Sequence, residues 1–109
     1  MLKLNPNPTF SATVQISVPG SEKTIAVKMV FRHRTMKQIT AWFKLQEKRE
    51  SSEALAELIE SWSGIFDDKS NEIEFSRESL TTLLENYQPA TNEIIRAYMQ
   101  ELAQSKVKN

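Results

Sequence analysis

The sequence contains no cysteine, which removes disulfides, thiolate metal sites and cysteine nucleophiles together. Two glycines and four prolines in 109 residues are too few for collagen, low-complexity disorder or a glycine-rich phosphate loop. Histidine occurs once, as His33. One histidine without cysteine does not assemble a zinc site of the usual composition. No G-x-S-x-G elbow accompanies it for Ser-His-Asp chemistry. Flanked by Arg32 and Arg34, it reads as a solvated basic strand end or a contact for an acidic partner. Long apolar runs are missing too, so no segment is expected to span a membrane. The opening MLKLNPNPTF lacks the apolar stretch of a signal peptide. What remains is 39% hydrophobic and 26% charged, the composition of one domain over residues 1–109, expected to be soluble and cytoplasmic.

Net charge is zero, but residues 1–50 hold nine Lys/Arg against three Asp/Glu, and residues 51–109 hold five against eleven. The imbalance describes two solvated faces, or a dipole suited to self-association or to an acidic partner at the basic end.

Residues 1–9, with Pro6 and Pro8, read as an extended arm. A hairpin is expected over residues 10–33. Phe10, Ala12, Val14, Ile16 and Val18 alternate with polar residues, as in a strand with one buried face. Pro19-Gly20 supplies a type II turn, and Ile25, Val27, Met29 and Phe31 repeat the alternation. A helical part is expected over residues 35–103, with a frayed tail at 104–109. Thr35 and Gln38 form a capping-box pattern for a helix reaching about Glu50. Met36, Ile39, Trp42 and Phe43 make its apolar side, and Lys37, Lys44 and Lys48 its opposite stripe. Leu45 lies off the apolar side and is a candidate contact for a partner. Ser51 or Ser52 is expected to cap a second helix, whose stripe is Leu55, Leu58, Ile59 and Trp62, ended by Gly64. After a polar connection over 65–75, Ser76 caps a third helix with Phe75 and Leu80 as a hydrophobic staple. Pro89, with Thr91 as cap, opens a fourth helix carrying Ile94, Ile95, Tyr98 and Leu102. The expected class is α+β, an N-terminal β-hairpin followed by about four α-helices. A lone hairpin is marginal in water, so it must pack on the helices, pair edge-to-edge with another chain, or do both.

Candidate chemistry is sparse. Asp67, Asp68, Asn71, Glu72 and Glu74 suggest a calcium loop. Yet an EF-hand register from Asp67 puts Lys69 at position 3 and Glu72 where glycine is needed; from Asp68, Ile73 takes the glycine place and Ser79 position 12. No metal site, cofactor or catalytic residue is therefore expected. Lys37, Lys44 and Lys48, with Arg32 and Arg34, are candidates for phosphate contact, but no base-reading motif accompanies them, and nucleic acid is an unlikely partner. Trp42 and Trp62 sit on apolar stripes and read as core.

The runs FSATVQISVPG and TIAVKMVFRHRT resemble the N-terminal hairpin of phage tail assembly chaperones. ELIESWSGIF and FSRESLTTLLENYQPATNEIIRAYMQEL resemble the helical part of that family, in which a tryptophan closes one helix, F-S-x-E opens the next, and I-x-x-x-Y-x-x-x-L ends the domain. Those positions are Trp62, Phe75, Ser76, Glu78, Ile94, Tyr98 and Leu102. One departure is Gln88, between Tyr87 and Pro89, where the pattern places proline directly after tyrosine. The departure shifts a helix start by a residue and leaves the fold intact. The resemblance implies a non-enzymatic protein made in the cytoplasm of an infected or lysogenic bacterium and absent from the finished virion. It implies two partners, the long helical tape measure protein and the major tail-tube protein, with a homo-oligomer as a further possibility. Partner binding is expected at Leu45, Lys37, Lys44, Lys48, Arg32 and Arg34. A small structural tail or head-completion protein is the rival reading, and a nucleic-acid-binding accessory protein a weaker one.

Overall fold

The computed structural model describes Leu2, Leu4 and residues 8–107, the side chains of 105–107 excepted. The chain runs β1 Thr9–Ser17, β2 Thr24–Arg32, α1 Met36–Gln46, α2 Ser51–Ala56, β3 Ile59–Ser63, α3 Arg77–Asn86 and α4 Ala90–Val107. The class is α+β, as expected, with the hairpin enlarged to a three-stranded antiparallel sheet in the order β1-β2-β3. Of the expected arm, residues 1, 3 and 5–7 lie outside the described residues. Pro8 and Thr9 already meet β2, since Pro8 O accepts from His33 N–H at 3.0 Å and Thr9 faces Arg32. Of the expected tail, residues 104–107 continue α4, and 108–109 lie outside the described residues.

The hairpin follows from its alternation. Val14 pairs with Val27 and Ala12 with Met29, and these residues are buried. Ser11, Thr13, Gln15, Ala26 and Lys28 are exposed on the opposite face. At the turn Ser21 N–H donates to Val18 O at 3.1 Å, and Gly20 holds φ +76°, the conformation that a type II turn requires at its third residue. The helices cover the inner face. Phe31 and Phe10 pack on the fully buried Tyr98 of α4 with ring centroids 5.2 and 5.3 Å away. The Tyr98 hydroxyl donates to Arg32 O at 2.9 Å, and burial raises its pKa above the usual phenol value. Glu93 ties the start of α4 to the end of β1, its carboxylate accepting from the Ser17 N–H and hydroxyl.

The second helix is shorter than expected. It ends at Ala56, and Ile59 and Trp62 belong to β3. Both face the core, three residues apart, because Glu60 is an extra residue where Val30 faces Ser61 and Phe31 faces Ile59. A bulge of this kind reproduces the i, i+3 spacing of a helix. Gly64, at φ +92°, therefore follows a strand instead of ending a helix. α1 stops at Gln46, where Lys48 and Arg49 N–H donate to Leu45 O and Gln46 O. The N-cap position of α2 is Glu50, with no side-chain cap bond, so neither Ser51 nor Ser52 caps it. Thr91 lies inside the first turn of α4, whose Glu93 N–H donates to Pro89 O at 3.1 Å. The other two start signals act as read. Thr35 with Gln38 forms a capping box, and Ser76 caps α3 through Ser79.

Candidate functional site

Among the described residues, apolar side chains are exposed on α1 and beside α3, and these two surfaces carry opposite charge. The first is α1. Its buried residues are Ile39 and Trp42, and the Trp42 indole N–H donates to Ala54 O at 2.8 Å. That anchor fixes which side chains face outward. Met36 and Phe43, seven residues apart, share one flank and are 66% and 41% exposed; Leu45 lies on the other flank at 50%. Met36 and Phe43, expected on the buried side, are thus surface residues. Phe43 is held edge-on against Trp42 at 5.1 Å. Lys37 and Lys44 are exposed opposite the buried stripe. Lys48 is exposed in the turn beyond the helix.

The two arginines are engaged elsewhere. Arg32 Nη1 donates to Ala56 O at 3.2 Å and Ile59 O at 2.9 Å. Arg34 Nη2 donates to Glu57 O at 2.9 Å and its Nη1 to His33 O at 3.3 Å. Both place positive charge at the carbonyl end of α2, where the helix dipole favours it. They hold the junction from which α1 departs, while Lys37, Lys44 and Leu45 form its outer surface.

The second surface is a groove of about 1070 Å³ between the 65–73 loop and α3. Ile65, Phe66, Ile73, Leu83 and Tyr87 supply its apolar wall, and Asp67, Asp68 and Glu78 with Lys69 its lip, acidic on balance. Phe66 is 58% exposed. The loop doubles back on itself, with Ile73 N–H donating to Ile65 O at 2.8 Å and Phe66 bridging Glu72. The Asp67 carboxylate accepts from the backbone N–H groups of Asn71 and Lys69, both at 2.9 Å. The bond from Asn71 is the main cause holding its carboxyl below the ordinary aspartate value. Beneath the loop, the Trp62 indole N–H donates to Ile73 O at 2.9 Å and the ring meets Phe75 edge-on at 5.1 Å. Glu72 accepts from Gly64 N–H at 2.8 Å. The acidic run is therefore a built turn in which the Asp67 and Glu72 carboxylates face backbone amides. Among the described residues no three His, Asp or Glu side chains converge as a cation site, and no helix is long and apolar enough to cross a membrane.

Sequence reasoning missed Phe66, Met36 and Phe43 as surface residues. The signal for Phe66 was its place in IFDDKSNE, an apolar residue directly before an acidic turn. For Met36 and Phe43 the periodicity carried none, since two residues of an apolar stripe look alike whether at its centre or its margin.

Comparison with known proteins adds one finding. Neither the curated proteins nor the solved structures give a match. The sequence model of the phage tail assembly chaperone family matches residues 1–109, the whole chain. The protein therefore belongs to the phage tail assembly chaperone family.

Proposed function

We propose that this protein binds the tape measure protein, keeps it in solution and brings tail-tube subunits to it, without catalysis, in the cytoplasm of the host and apart from the finished virion. The observation that carries the reading is the family match over all 109 residues. The two exposed surfaces support it. A protein that gathers two tail components needs two places to hold them, and surfaces of opposite charge do not compete for one segment. On α1, Met36, Phe43 and Leu45 offer apolar area among Lys37, Lys44 and Lys48. This surface takes an amphipathic helix with acidic flanks, laid down by its apolar face, and Arg32 and Arg34 brace it from the α2 junction. The groove beside Phe66, with its acidic lip, takes a segment with basic flanks.

Co-expression with the cognate tape measure protein tests this. The soluble tape measure fraction rises with the wild-type chain and falls back with Leu45→Glu, while the variant keeps its circular dichroism and melting temperature. Binding that collapses in moderate salt assigns the contact to Lys37, Lys44 and Lys48 instead of the apolar residues. Failure to co-purify, with the chain present in washed virions at stoichiometric levels, replaces the reading with a structural tail component. Affinity for nucleic acid that falls steeply with salt would assign the lysines to phosphate.

A further inference from the structure

Among the described residues the sheet has two unpaired edge strands, β1 and β3, and they differ. β3 is five residues long, carries Glu60 and is bulged, three of the devices by which natural sheets discourage edge pairing. β1 is nine residues long, TFSATVQIS. It contains no charge, no proline and no glycine, and it runs in unbroken register with β2 from Thr9 to Ser17.

The register also says which backbone groups point outward. Pro8 O accepts from His33 N–H, so Pro8–His33 is a hydrogen-bonded pair. Bonded and non-bonded pairs alternate along an antiparallel ladder, so the even residues of β1 bond to β2 and the odd ones present N–H and C=O to the free edge. The contact of Ser17 confirms the phase, since its N–H leaves the sheet to reach Glu93. Ser11, Thr13 and Gln15 are exposed, and among the described residues nothing receives their backbone N–H groups.

We propose that β1 pairs antiparallel with β1 of a second copy of this chain, centred on Thr13, joining two sheets across a two-fold axis. The strand is its own complement. Only odd residues carry free groups, so odd must face odd, and centring on Thr13 overlaps the most of them. Thr13 then faces the partner's Thr13, and Ser11 faces the partner's Gln15, with every pair hydrogen-bonded. Even residues face even ones, so Ala12 meets the partner's Val14 on the core side. The hydroxyl-and-amide face continues unbroken on the other, as a strand of fixed period requires. With no charge on either strand, no like pair is opposed. The bond from Ser17 N–H to Glu93 ends the ladder at each side. The surfaces assigned to tail partners are not used, so this pairing stands or falls independently of them.

The test uses the chain alone, in sedimentation velocity across a concentration series with amide exchange read at Ser11, Thr13 and Gln15. The wild type is expected to reach twice its 12.5 kDa, with slow exchange at those three amides. Thr13→Lys and Thr13→Glu, each placing like charges face to face on an exposed position, are each expected to sediment as monomers with an unchanged circular dichroism spectrum and fast exchange there. Mixing the two is expected to restore the double-mass species, because position 13 faces itself only in this register. A wild type that stays monomeric at high micromolar concentration overturns the proposal, as does a dimer indifferent to both charges. Protection of those amides only when another protein is added also overturns it, and gives the edge to that protein instead.

Discussion

The hairpin and the segment from Glu57 to Phe75 are stabilised in opposite ways. Every contact that fixes the hairpin's register is near in sequence: an alternation, a Pro-Gly turn and a ladder without irregularity. Between Glu57 and Phe75, β3 exists only because β2 is there to receive it, and the loop beyond is pinned by Trp62, whose indole reaches Ile73. Local order survives a change in distant packing, whereas order borrowed from a neighbour fails when the anchor is removed. The anchor is therefore where the largest effect is expected. Trp62→Ala is expected to destabilise the protein by about 3–5 kcal/mol, the cost of truncating a large buried aromatic. The loss includes the indole bond and the edge contact with Phe75. Urea unfolding measures it, and a change under about 1 kcal/mol would mean that β3 does not depend on its tryptophan.

The same contrast explains what was legible in the sequence. The hairpin, its turn and the caps at Thr35 and Ser76 are local chemistry, and each was read to within a residue or two. The helix drawn through Leu55, Leu58, Ile59 and Trp62 was not, and its failure has a definite cause. A strand of period two puts residues three apart on opposite faces; one extra residue at Glu60 returns them to the same face. The apolar pattern of a bulged strand and that of a helix are then the same pattern, and only the pairing partner tells them apart. Of the candidate site, exposed Leu45 and the outward lysines of α1 followed from periodicity. The arginines did not, because apart from His33 O their acceptors are carbonyls of Ala56, Glu57 and Ile59, more than twenty residues away in the chain and invisible to any local motif.

One non-local contact of the hairpin can be removed singly, and breaking it sharpens the comparison. Glu93 is 76 residues from Ser17, yet its carboxylate receives two groups of that residue. Glu93→Ala is expected to cost about 1.5–3 kcal/mol, the range for hydrogen bonds to a charged group, and to loosen the Ser17 end of β1 before the Thr9 end. Hydrogen exchange along the strand checks this. Uniform loosening would show that the hairpin is as dependent on its surroundings as β3. Within the turn itself the effect is smaller. Gly20→Ala meets open space for its new Cβ, so its cost comes from the positive φ alone, about 1–2 kcal/mol. Chemical denaturation is expected to show that loss with strand register unchanged in amide spectra.

The smallest effect is expected in the turn at Asp67, which tests whether anything in the Glu57–Phe75 segment is locally determined. Its carboxylate is held by the N–H groups of Asn71 and Lys69, four and two residues on, a contact as local as any in the hairpin. These bonds favour the ionised form, so the folded carboxyl titrates below its ordinary value of about 3.8. A depressed carboxyl stabilises the fold above the unfolded pKa and loses that contribution as pH falls through the folded one. Acidification is therefore expected to shift the Asn71 and Lys69 amide protons together, with a midpoint below 3.8, while the global melting temperature hardly follows, because the group is fully exposed. Asp67→Asn keeps an oxygen acceptor without the charge and is expected to abolish the shared titration but keep the turn. If the midpoint sits at the ordinary aspartate value, the turn owes its shape to Trp62 and the sheet below, and the whole segment is order borrowed from its neighbours.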